Sequence, residues 1–193
     1  MIRTALIGVA GLMMVATPIA AQTDRQLEAH EHGHGILKMA VEDRTLHIEF
    51  EVPGSDVVGL EHVATTEADK ELIETAKETL SQPAKLFVLS AEADCKVVSA
   101  SVKLLEGETE PAEDDDHAHE EHDQENDHTG HSEFRAQYSF SCDRIDAVTS
   151  VAFPYFDLFP NARELAVTLI TDKGQVAFEV TRSNAIIHVQ GMI

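Results

Sequence analysis

The chain has no tryptophan, two tyrosines, two cysteines and few cations, with 14 lysines and arginines against 35 aspartates and glutamates. The formal net charge of −21 argues against nucleic-acid binding and against adsorption to anionic lipid, because both surfaces repel it. Cations are the partners it favours. After the first 21 residues no stretch is apolar enough to span a bilayer. The two cysteines, Cys95 and Cys142, lack the C-x-x-C spacing of a thiolate metal site, so in an exported chain a disulfide is the expected state.

Export is itself expected. In residues 1–21, MIRTALIGVAGLMMVATPIAA, Arg3 precedes an apolar run from Ala5 to Ala16, and small residues follow Pro18. This is the layout of a secretory signal peptide, with cleavage after Ala21; the run is short for a membrane anchor. Losing Arg3 with the leader moves the net charge from −21 to −22.

Beyond the leader the pattern reads as α+β, mostly antiparallel sheet. Leu37, Met39 and Val41 alternate with polar residues, as do Leu46, Ile48, Phe50 and Val52, with Glu42 to Thr45 as the turn of a hairpin. Pro53 and Gly54 stop its second strand. Thr66 is suited to cap a helix over "EADKELIETAKETL", whose Leu72, Ile73, Ala76 and Leu80 share a face. Strand-like "KLFVLS" and "KVVSASVKLL" follow, joined by "AEAD".

The second half repeats the order: "EFRAQYSFSC", "AVTSVAF", an insert "PYFDLFPNA", a hairpin "ELAVTLIT" and "QVAFEVTR" across "DKG", then "AIIHV". The division expected is a signal peptide over 1–21, a first α/β unit over 22–105, an acidic histidine-rich loop over 106–132 and a second, similar unit over 133–193. In the loop, 13 acidic residues between Glu106 and Glu133 stand with five histidines and no lysine or arginine. Too little apolar surface is available there to offset ordering entropy, so a disordered loop is expected.

Chemistry concentrates in "HEHGHG", His30 to Gly35. The letters fit H-E-x-x-H, which in a zinc hydrolase needs a helix that brings His30 and His34 to one face with Glu31 as the base. Two glycines each disfavour a helix by about 1 kcal/mol relative to alanine, and the strand "ILKMAV" begins at the next residue. As a strand, period two instead sets His30, His32 and His34 on one side, with Ile36, Lys38 and Ala40, and sends Leu37 and Met39 to the other. The bland alternative is a histidine-rich N-terminus without order.

"GLEH" adds Glu61 and His62 near the start of the helical region. His47 and His188 read as structural or surface residues. The loop histidines His117, His119, His122, His128 and His131, set among carboxylates, make a collector for divalent metals, imidazole favouring zinc, copper, nickel or iron over calcium and magnesium. A plain solvated linker is the alternative there.

These features resemble the ZrgA-like periplasmic zinc-binding proteins associated with zinc ABC importers. The resemblance rests on "HEHGHG", on "VVGLEH" (Val57 to His62), on the acidic histidine loop ending in "HSEF", and on "LFVLSAEADC" and "YFDLFP". It implies two similar α/β units with the histidine-rich region between them. On this reading the protein is no enzyme. It captures Zn2+ through His32, His34 and His62, completed by His30, Glu61 or His131, and passes the ion to a membrane ABC permease. A periplasmic zinc, copper or nickel buffer without a transporter is the alternative, and a hydrolase built on His30, Glu31 and His34 is a third.

Overall fold

The computed structural model describes residues 33–60, 63–106 and 132–193. Residues 1–32, the expected leader and His30 and His32 among them, lie outside these, as do Glu61 and His62 and the loop with all five of its histidines.

Alternating hydrophobicity builds the expected hairpin: β1 (His34–Glu42) and β2 (Thr45–Pro53) pair antiparallel, with Asp43 in a left-handed turn conformation. Beyond β2 a short helix α1 (Gly54–Val58) ends at left-handed Gly59. Helix α2 (Glu67–Leu80) starts at Thr66 in a full capping box, its hydroxyl accepting from Asp69 N while the Asp69 carboxylate accepts from Thr66 N. Then come α3 (Pro83–Leu86), β3 (Val88–Leu89), β4 (Cys95–Glu106), β5 (Ser132–Cys142), β6 (Ser150–Ala152), α4 (Tyr155–Leu158), β7 (Glu164–Thr171), β8 (Gly174–Thr181) and β9 (Ile186–His188).

Six strands form one sheet in the order β4-β5-β2-β1-β7-β8, and β3-β6-β9 form a small second sheet. The pairing is antiparallel throughout except for β1 with β7, which run parallel. Strands from the two halves of the sequence share both sheets: β5 lies between β4 and β2, and β7 beside β1. The halves expected from the repeated element order are therefore joined through common sheets rather than holding one sheet each.

One face of the large sheet is dry. Leu37, Met39, Leu46, Ile48, Phe50, Phe134, Tyr138, Leu165 and Val167 are buried there, while the alternating Ile36, Lys38 and Glu49 are exposed. The inner face is covered by helices and the small sheet. Phe87 links the layers edge-on, touching Phe50 at 5.4 Å and Phe153 at 6.0 Å between ring centroids, and Tyr155 meets Phe50 at 5.1 Å. The Tyr138 hydroxyl donates to the carbonyl of Leu80 at 2.8 Å, tying β5 to the end of α2.

Three local expectations need correction. Leu72 is 48% exposed, because α2 meets the core only through Ile73, Ala76 and Leu80 and leaves Leu72 at the edge of that stripe. "KLFVLS" yields a two-residue strand: Pro83 at the first helical position starts a turn of helix that takes in Lys85 and Leu86. "AVTSVAF" likewise pairs only over Ser150–Ala152. The Cys95–Cys142 disulfide is present and joins directly opposed residues of β4 and β5, at the end of that hairpin away from Glu106 and Ser132.

Candidate metal-capture site

Of the candidate ligands, His34 alone lies within the described residues. It opens β1, and its side chain stands on the outer face, as the period-two reading requires, with its neighbours Gly33 and Gly35 buried. Gly33 before it adopts φ +90°, a conformation that other residues enter only at a cost. Its amide donates to Oδ1 of buried Asp56 at 2.8 Å, and its carbonyl accepts from the amides of Arg163 (3.0 Å) and Glu164 (2.9 Å). Gly35 faces inward in a tight place, where an added Cβ would lie 2.6 Å from Val52 Cγ1 and 2.7 Å from Leu165 Cδ2. At its described end "HEHGHG" is thus a turn leading into a strand, with no helical register at Gly33 and His34.

Parallel pairing places His34 directly opposite Glu164, with His34 Nδ1 3.5 Å from Glu164 Oε1. Their side chains are 45% and 28% exposed, so the pair sits at the rim, neither sealed nor freely solvated. Beside it a cleft of about 380 Å³ is lined by Gly33, Ser55, Asp56, Gly59, Pro160, Asn161 and Arg163. Asn161 donates to the Ser55 carbonyl at 3.1 Å, closing the loop after α4 onto α1. Arg182 holds that loop from behind, its guanidinium donating to the carbonyls of Phe156, Phe159, Pro160 and Ala162.

Burial also acts on the phenols in this region. Tyr155 is held well above its ordinary pKa, first by burial and then by the charge of Asp56. It therefore stays neutral.

Topology brings Gly33, Gly59 and Ser132 to one end of the large sheet. Gly33, to which His32 is bonded, and Gly59, two residues before Glu61, line the same cleft. Ser132, bonded to His131, begins β5 at the same end, where Glu133 is the register partner of Pro53. Among the described residues no group of three or more histidine, cysteine, aspartate or glutamate side chains is set to hold a metal, so His34 with Glu164 is the described part of the candidate site.

The other two described histidines are elsewhere. His47 Nδ1 contacts Ser139 Oγ at 3.1 Å on the outer face of β2, and exposed His188 ends β9 in the small sheet. Sequence reasoning passed over Asp56 and Glu164. Asp56 carried a faint signal, a carboxylate inside the turn-rich "PGSDVVG"; Glu164 carried none, because its partner is 130 positions away.

Among the described residues no helix is long and apolar enough to cross a membrane. The disulfide fits an extracytoplasmic protein, since such bonds persist in oxidising compartments. No curated protein matches the chain. A family profile described as ZrgA family zinc uptake protein matches residues 29–189, from the residue before His30 through the last strand. With that match over most of its length, the chain belongs to the ZrgA family of zinc uptake proteins.

Proposed function

We propose that the protein captures Zn2+ in the periplasm, after removal of residues 1–21, and delivers it to a membrane ABC importer. The reading is supported by the family match and by Gly33 and Gly59, the described neighbours of the HEHGHG and GLEH motifs, lining one cleft beside His34. His32, His34 and His62 are the proposed ligands. His30, Glu61 or His131 completes the roughly four-donor tetrahedral set that zinc takes. The remaining loop histidines, His117, His119, His122 and His128, are proposed to gather ions at lower affinity, because a stretch with so little apolar surface carries an ordering cost each time it closes on a metal.

No covalent chemistry is assigned. A hydrolase on His30, Glu31 and His34 would need those residues on one helix, and the strand that starts at His34 argues against that register. Zinc is cargo here, bound and released.

Zinc titration of the mature protein beside a version lacking residues 107–130, each in competition with a chelator of known affinity, tests the reading. One tight ion retained by both forms supports it. A full-length protein showing only weak, multiple sites would defeat it. Delivery is tested separately, by transfer of bound zinc to vesicles holding the importer, faster than free exchange into buffer.

A further inference from the structure

We infer that Glu164 is a positioning residue for zinc capture, its carboxylate holding the Nδ1 side of His34 so that Nε2 is turned outward to the metal. The inference deepens the zinc-capture reading and rests on His34 being a ligand.

Three observations carry it. His34 and Glu164 are register partners on adjacent parallel strands, so their side chains leave the sheet on the same face. Their facing atoms, Nδ1 and Oε1, are 3.5 Å apart. That is longer than an ordinary hydrogen bond; on this proposal the two partly exposed side chains close the gap when the metal binds. Finally, the register cannot slip easily. The Gly33 carbonyl takes both the Arg163 and Glu164 amides, and the Gly33 amide is held by Asp56, so the backbone on either side of the pair is bonded in place.

The chemistry follows from imidazole having two distinct nitrogens. When Nδ1 donates its proton to a carboxylate, the lone pair is on Nε2, the ring is fixed in orientation and its basicity rises. A metal-binding histidine so supported binds more tightly than one left to rotate, and losing such a partner typically costs 10–100-fold in metal affinity. Glu164 is partly shielded, which weakens competition from water for the same imidazole proton.

The test uses zinc titration by chelator competition on the full mature chain and on three variants, with 15N NMR of the histidine rings as a second readout. Glu164→Ala is expected to weaken the tight site by about 10–100-fold and to move the metal-free His34 ring away from the Nδ1–H tautomer. Glu164→Gln keeps an acceptor oxygen and should retain more affinity than the alanine variant, with the tautomer largely kept. Equal, severe losses in both would overturn the inference, since a neutral amide fails as a zinc ligand and the carboxylate would then be bound to the metal itself. Unchanged affinity in Glu164→Ala, with His34→Ala losing the tight ion, would overturn it while leaving the capture site intact. A His34→Ala variant that keeps the tight ion would instead remove the ligand assignment on which the inference stands. Thermal unfolding of each variant separates these outcomes from a failure to fold.

Discussion

The amide of Gly33 donates to the carboxylate of Asp56 at 2.8 Å, joining two residues 23 positions apart, one at the start of β1 and the other in α1. Both line the cleft beside His34. A buried hydrogen bond to a carboxylate contributes more than a neutral one because the acceptor is charged, and its loss leaves a buried amide unsatisfied. Asp56→Ala should therefore lower stability by roughly 1.5–3 kcal/mol in urea unfolding, whereas Asp56→Asn, which keeps an acceptor oxygen, should lose clearly less. Equal loss in both would mean that the hydrogen bond is not what Asp56 contributes.

Reduction of the Cys95–Cys142 bond should destabilise the protein without changing its zinc stoichiometry. The bond closes a loop with a sequence separation of 47, which on the chain-entropy model corresponds to roughly 4 kcal/mol. It lies at the end of the β4–β5 hairpin away from Glu106 and Ser132. Thermal unfolding with and without reductant measures the first part, and metal content by mass spectrometry the second. Extra zinc in the reduced protein would show that the thiols are ligands in waiting.

Alkaline pH should unfold the protein through Tyr138. Burial raises its pKa above the ordinary phenol value of about 10, and its hydroxyl donates to the Leu80 carbonyl. The folded state thus keeps a proton that the unfolded state releases, so stability is unaffected below about pH 10 and falls as pH rises past it. Tyr155, raised in the same direction, adds to the slope. Urea midpoints measured between pH 8 and 11 check this, and a Tyr138→Phe variant, less stable at neutral pH, should show a shallower decline.

Zinc affinity should be high at pH 7.5 and largely lost by about pH 5, because an imidazole nitrogen binds metal only without its proton and ordinary histidine takes one up near pH 6.5. Titrations at stepped pH and constant salt would show the loss. Affinity maintained to pH 5 would point to carboxylate ligands.

Two alterations should separate the tight site from the loop. Replacing His32 and His34 together by alanine is expected to abolish the tight binding event while weak binding persists. Deleting residues 107–130 should lower the number of ions bound and keep the tightest one. Isothermal titration of both in identical buffer decides the matter; the reverse outcome would place the site in the loop.

Much of the local structure was written in short-range pattern. Alternation announced β1 and β2, because a strand with one buried face must repeat every two residues. Thr66 announced the start of α2, and the structure completes a capping box with Asp69, a contact between near neighbours in the chain. The same alternation put His34 on the outer face before any partner was known. The strands within "KLFVLS" and "AVTSVAF" came out shorter than expected because two or three paired residues carry no period that marks their ends, and Leu72 was misplaced because the width of the buried stripe on α2 depends on what packs against it.

What the sequence alone determined is the chemistry on offer: an acidic, histidine-bearing chain with two cysteines able to join and segments whose motifs belong to one zinc uptake family. Only the tertiary structure decided which distant residues meet. The parallel pairing of β1 with β7 sets Glu164 against His34, and the return of α1 sets Asp56 beneath Gly33. The His34–Glu164 contact leaves no local trace, because strand pairing is chosen by the burial of whole faces, and a one-residue slip would send one of the two side chains to the other side of the sheet.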